Sequence, residues 1–125
     1  MRLLLDTHAL IWWLENRVNL SAEARNAISS PASTVMVSAA SVWEMSIKRA
    51  KGRLRAPDDL GRWISAEDFD ELPVRIVHAE VAGALPLHHA DPFDRILIAQ
   101  AQLEGLTIVT RDKAFEAYGV PLLTA

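Results

Sequence analysis

The residues whose types and positions can do chemistry in this chain are acids. Asp6 follows the apolar run Leu3-Leu4-Leu5, and Asp112 follows the run from Leu106 to Thr110. Both fall at or just past the C-terminal ends of expected parallel strands, where open α/β sheets place their ligand crevice. Glu44 and Asp94 fall near the starts of helices that follow the same edge of the sheet, provided all crossovers are right-handed. Four carboxylates gathered in this way repel one another and partly protonate unless a cation neutralises them. The arrangement therefore implies hard divalent ions bound through oxygen. Mg²⁺ or Mn²⁺ in such a site lowers the pKa of a bound water to make hydroxide, and steadies the leaving oxygen of a phosphodiester. The chain has no cysteine, and no Ser or His stands in a recognisable nucleophile motif, so covalent catalysis finds little support.

Each acid also has an ordinary structural reading. Asp6 can cap a helix beginning at Thr7, and Asp112 one beginning at Lys113. Glu44 can pair with Lys48 at i,i+4. Asp91 and Asp94 can be the N-cap and N3 acid of a helix opened by Pro92. For any single residue these readings are as good as the chemical one. What favours chemistry is the set of positions at which the acids occur together.

The elements that must position them follow from periodicity. Short β-rich runs alternate with longer helical patterns, without repeat, low-complexity tract or linker, which predicts an α/β domain on a parallel sheet over residues 1–125. Strands are expected at about 2–5, 34–37, 72–77, 106–110 and 120–123, the third at an edge because of Pro73. Helices are expected at about 7–15, 22–29, 39–51, 59–66, 78–84, 92–104 and 112–118. In the 39–51 helix, Val42, Trp43, Ser46, Ile47 and Ala50 make one face, with Glu44, Lys48 and Lys51 on a different stripe. Gly52, Gly105 and Gly119 end helices.

A chain of 125 residues, half of them apolar, suffices for one core and is too short for two. The absence of cysteine excludes disulfides and thiolate metal sites and fits a cytoplasmic location. Neither a secretory leader nor a membrane span is expected, since three leucines at the N-terminus meet Asp6 and no long apolar stretch follows. The net charge of −3 counts against nucleic acid only at first sight. With four of the 16 acids set around a metal, 12 remain against 13 bases, and the outer surface is about neutral.

The segments Leu4-Leu5-Asp6-Thr7-His8 with Ala9-Leu10-Ile11-Trp12-Trp13, Ser41-Val42-Trp43-Glu44, Asp91-Pro92-Phe93-Asp94-Arg95 with Leu97-Ile98-Ala99-Gln100-Ala101, and Val109-Thr110-Arg111-Asp112 together resemble the ordered motifs of PIN-domain toxins of the VapC type. The resemblance covers nearly the whole chain. It implies a three-layer α/β/α fold around a parallel sheet of four or five strands. It also implies a Mg²⁺- or Mn²⁺-dependent endoribonuclease, without nucleotide cofactor, that forms a homodimer and is inhibited by a cognate VapB-type antitoxin. Carried over by position, Asp6, Glu44 and Asp94 match the first three acids and would hold the principal metal. Asp112 matches the fourth, which varies in the family, and Asp91 is an alternative within its motif.

Around these acids, Thr7 and Thr110 are candidates to orient carboxylates or waters, although Thr beside a strand end is also what β-propensity predicts. The all-acid pattern argues against a histidine ligand among His8, His78, His88 and His89. His88-His89-Ala90 resembles the family's lead-in to its third motif and would shape the site without binding metal. Lys48, Arg49, Lys51, Arg53 and Arg55 crowd behind the Glu44 helix, to track an RNA backbone, to meet an antitoxin, or only to complement a helix C-terminus. The four tryptophans fall at helical spacing with other apolar residues, as packing surfaces do. Two rival functions stay open: an antitoxin-binding co-repressor with weak or no catalysis, and the same chemistry directed at DNA.

Overall fold

In the computed structural model, which describes residues 1–125, five strands form one wholly parallel sheet. They are β1 (Arg2–Leu5), β2 (Thr34–Ser38), β3 (Asp70–Leu72), β4 (Thr107–Thr110) and β5 (Leu122–Thr124), and they lie in the order β3-β2-β1-β4-β5. The helices are α1 (Thr7–Glu15), α2 (Ala22–Ser29), α3 (Ala39–Ala50), α4 (Leu60–Ala66), α5 (Ile76–Ala84) and α6 (Pro92–Glu104). Two 3₁₀ segments, Arg17–Asn19 and Lys113–Tyr118, complete the elements. The first was not expected from sequence, and the second is the short helix expected at about 112–118, in 3₁₀ form. No helix is long and apolar enough to cross a membrane.

Alternation along the strands divides the apolar residues between two cores. Leu3, Leu5, Val35, Val37, Val109 and Leu123 face one way and are covered by α1, α2 and α4 through Leu10, Trp13, Ala24, Ile28, Leu60 and Ile64. Leu4 and Ile108 face the other way and are covered by Leu97, Ile98 and Ala101 of α6 and by Phe115. This is why β1 reads as an unbroken apolar run: as the central strand it is buried on both faces. Removing a side chain such as Leu5 from water contributes about 1.5–3 kcal/mol.

Two expectations need correction. The third strand ends at Leu72 instead of running through residues 72–77, because Pro73 has no N–H to continue the ladder. Residue 76 already begins α5, whose first turn is capped by the His78 ring, Nδ1 accepting the Arg75 N–H at 2.9 Å. The expected edge position holds, since β3 pairs with β2 alone. The second correction concerns α3. Its buried residues are Ala40, Ser41, Glu44 and Met45, whereas Trp43 is 64% exposed. The acid thus lies on the inward stripe and the tryptophan faces out.

The strand order fixes where a site can form. Successive strands run outward from β1 to β2 and β3, and then the chain returns to lay β4 on the other side of β1. Between β1 and β4 the connections diverge and leave a crevice beyond the strands' C-terminal ends.

Candidate functional site

Asp6 and Asp112 stand on the two sides of that crevice. Asp6 continues the ladder, its N–H donating to the Val109 carbonyl at 3.1 Å, and its Oδ1 then caps α1 by accepting the Ala9 N–H at 2.8 Å. Asp112 does the same one strand away, its Oδ1 accepting the Ala114 N–H at 2.9 Å. Its own N–H is held by the Thr110 hydroxyl at 3.0 Å. Arg111 fixes the backbone between them: its guanidinium lies over the Trp12 ring at 4.3 Å and donates to the carbonyls of Ala125 and Asn19. The capping readings are therefore realised for both acids, but each cap uses one carboxylate oxygen and leaves the other for the crevice.

Glu44 enters from α3. It is buried, and its two oxygens are divided between the Thr7 hydroxyl, which donates to Oε1 at 2.5 Å, and the Lys48 ammonium, 2.9 Å from Oε2. The i,i+4 pairing expected from sequence thus exists within the crevice group. Lys48 is turned toward Glu44, while Lys51, Arg53 and Arg55 are exposed on the turn beyond α3 and form no ion pair. Arg49 is taken by Asp58 at 3.0 Å.

Asp91 and Asp94 have different surroundings. Asp91 is the N-cap of α6, its Oδ1 accepting from the N–H groups of Phe93 at 2.8 Å and Asp94 at 3.2 Å. Asp94 instead reaches into the crevice, where its Oδ2 lies 2.9 Å from His89 Nε2. The same nitrogen is 3.2 Å from Asp112 Oδ2. Ligand atoms of His89, Asp94 and Asp112 all lie within 4.8 Å of one another. His89 is the member of this group that sequence reasoning kept out of the candidate set. The available signal was its position two residues before the N-cap acid Asp91.

The electrostatics agree with the geometry. Burial raises the Asp6 carboxyl above the ordinary carboxylate range, against the hydrogen bonds from Thr110 and Ala9 and the charge of His8. Asp94 is pushed up to about 7, first by burial and then by the charge of Asp91, with Glu44 and Asp6 adding to the rise and His89 opposing it. No lysine or arginine pairs with Asp6, Asp94 or Asp112. Carboxylates so placed hold more negative charge than Lys48 offsets. Beside the group, Trp43, Val74, Phe93 and Ile96 line an open apolar recess of about 460 Å³, with Trp43 and Phe93 edge to face at 5.3 Å.

The PIN domain family model matches residues 3–121. The chain is 30% identical over 121 residues to "Ribonuclease VapC22" of Mycobacterium tuberculosis, covering 94% of this chain and 92% of that protein. Among solved structures it is similar to one of VapBC2 from Rickettsia felis bound to a promoter DNA fragment, with TM-score 0.73, 16% identity and 98% of each chain covered. It is also similar to one of a toxin–antitoxin complex from Klebsiella pneumoniae, with TM-score 0.67, 25% identity, and 97% of this chain and 95% of that one covered.

Proposed function

Because the chain belongs to the PIN-domain family, we propose that it is a divalent-metal-dependent endoribonuclease and the toxin of a VapBC-type pair. The observation that carries the reading is the crowding of acids at one crevice: Asp94 is raised to about 7 by burial and by the charges of Asp91, Glu44 and Asp6, and its ligand atom lies within 4.8 Å of those of Asp112 and His89. Asp6, Glu44 and Asp94 would hold the principal ion, with Asp112 beside them. When bound, Mg²⁺ or Mn²⁺ supplies a water acidic enough to attack a phosphodiester and a counter-charge for the leaving oxygen. The protein's own part is to keep the carboxylates in place. Thr7 fixes one oxygen of Glu44, Lys48 the other, and the caps at Ala9 and Ala114 prevent Asp6 and Asp112 from turning away. Lys51, Arg53 and Arg55 would meet the phosphates of an RNA strand.

The partners follow from the same reading. The similarity to a toxin–antitoxin complex and to a VapC ribonuclease supports a VapB-type antitoxin as the inhibitor. A homodimer is part of the proposal, with the apolar surface around Trp43 and Val74 as the kind of face that association would cover.

The test is cleavage of labelled RNA by the purified protein, with single- and double-stranded DNA of the same sequence in parallel. Cutting of RNA is expected with Mg²⁺ or Mn²⁺, silence in EDTA, and a loss of orders of magnitude in Asp94→Asn. Undiminished cleavage in chelator would overturn the metal reading, and preference for DNA would overturn the substrate.

A further inference from the structure

His89 stands between two of the proposed ligands, and the hydrogen bonds around its ring decide what it can do there. The backbone that carries it is pinned by side chains from two other elements. The Tyr118 hydroxyl accepts the N–H groups of His88 at 3.1 Å and His89 at 2.8 Å, and donates to the Pro86 carbonyl at 2.7 Å. Arg95 donates to the carbonyls of Pro86 at 3.1 Å and His89 at 3.2 Å. Phe115 meets the imidazole edge to face at 5.7 Å. The ring is thereby fixed, with Nδ1 accepting the Asp91 N–H at 3.3 Å.

A ring nitrogen that accepts a hydrogen bond carries no hydrogen, so the hydrogen of this imidazole is on Nε2. That is the nitrogen lying 2.9 Å from Asp94 Oδ2 and 3.2 Å from Asp112 Oδ2. For Nε2 to bind a metal, its hydrogen would have to move to Nδ1, where it would point at the Asp91 N–H, donor against donor. The spacing of His89, Asp94 and Asp112 suits a cation, but the tautomer does not let the imidazole ligate one.

We propose that His89 is a positioning residue and not a metal ligand: its Nε2–H gathers the Oδ2 atoms of Asp94 and Asp112 and so holds the two carboxylates side by side at the crevice, while Asp112 Oδ1 stays on the Ala114 N–H and Asp94 Oδ1 is left to a divalent ion. The inference rests on the metal-site reading above. It assigns Tyr118 and Arg95 a part in the site as well, since they hold the segment on which His89 is carried. Partners that orient metal-binding side chains in this way typically influence metal affinity about 10–100-fold.

The experiment measures Mg²⁺ binding by calorimetry without RNA, for wild type, His89→Ala, His89→Gln and Asp94→Asn. It is joined to ¹⁵N-histidine NMR of wild type with and without Mg²⁺, the His89 signals being assigned by their loss in the variants. His89→Ala is expected to bind Mg²⁺ about 10–100-fold more weakly. His89→Gln, whose amide N–H reaches about as far as Nε2, is expected to recover most of the loss. Wild type is expected to keep the hydrogen on Nε2 in both conditions, a readout that does not depend on any variant folding. Loss of that hydrogen on adding Mg²⁺ overturns the proposal in favour of ligation. Wild-type affinity in His89→Ala, or no recovery in His89→Gln, also overturns it. If Asp94→Asn binds Mg²⁺ as tightly as wild type, the metal-site reading fails and takes this one with it. If Asp94→Asn weakens binding and His89→Ala does not, this one alone fails.

Discussion

Asp94 is held ionised only at a cost, and that cost has a measurable sign. Its carboxyl is raised to about 7 in the folded protein, against about 4 for an unfolded chain. A raised acid means that the folded state takes up the proton first. In metal-free protein the resulting stabilisation is absent well above pH 7, grows as pH falls through 7, and is complete below about 4. Metal-free wild type is therefore expected to melt higher at pH 5.5 than at pH 8, with a flatter profile in Asp94→Asn; equal slopes would count against the raised carboxyl. Asp6 separates structure from chemistry in another way. Asn caps a helix about as well as Asp, so Asp6→Asn keeps the bond from Ala9 while removing an ionised ligand. Its metal-free stability is expected to match or exceed wild type while cleavage falls by orders of magnitude, and full activity in this variant would leave Asp6 as a cap alone. Asp6 and Asp112 were legible because strand ends are legible: an apolar run stops and an acid follows. His89 was legible only as part of a lead-in that shapes the site, because its contribution lies in which ring nitrogen meets the Asp91 N–H, and no spacing encodes a tautomer.

At the scale of elements, α3 shows where periodicity misleads. Val42, Trp43 and Ile47 form a credible apolar stripe, yet the face turned inward carries Ser41, Glu44 and Met45. Hydrophobicity alone would bury the tryptophan; contacts of α3 with α1 and α6 bury the acid. The β3–α5 junction misled for a similar reason. Val74, Ile76 and Val77 have strand-like side chains, but Pro73 stops the ladder and His78 starts a helix, leaving Ile76 exposed. The turn after α3 supplies a prediction of its own. Lys51, Arg53 and Arg55 are exposed and unpaired, while Lys48 is occupied by Glu44. Neutralising the three together is expected to weaken RNA binding and flatten its dependence on salt, leaving Mn²⁺ binding unchanged. Binding titrations at several salt concentrations check this, and an unaltered slope would remove the turn from the RNA path. A loss confined to antitoxin binding would assign it to the partner instead.

For the molecule as a whole, the parallel sheet and its flanking helices were readable from the alternation of strands and helices, since crossover chemistry leaves few topologies open. The site joins segments far apart in sequence, so a cation bound there ties α1, α3 and α6 together. A cation that binds only the folded protein raises its melting temperature in step with affinity and concentration. Wild type is expected to gain stability with Mn²⁺ at neutral pH, and Asp6→Asn and Asp94→Asn to gain much less; equal gains in all three would place the ion elsewhere. The position of β1 at the centre of the sheet also sets an order of events during synthesis. Asp6 is made well before Asp94 and Asp112. Until Thr107–Thr110 emerges, one edge of β1 has no partner strand and Asp112 does not yet exist. If the chain is the ribonuclease proposed above, that order is expected to keep the half-made chain harmless to the message from which it is being read.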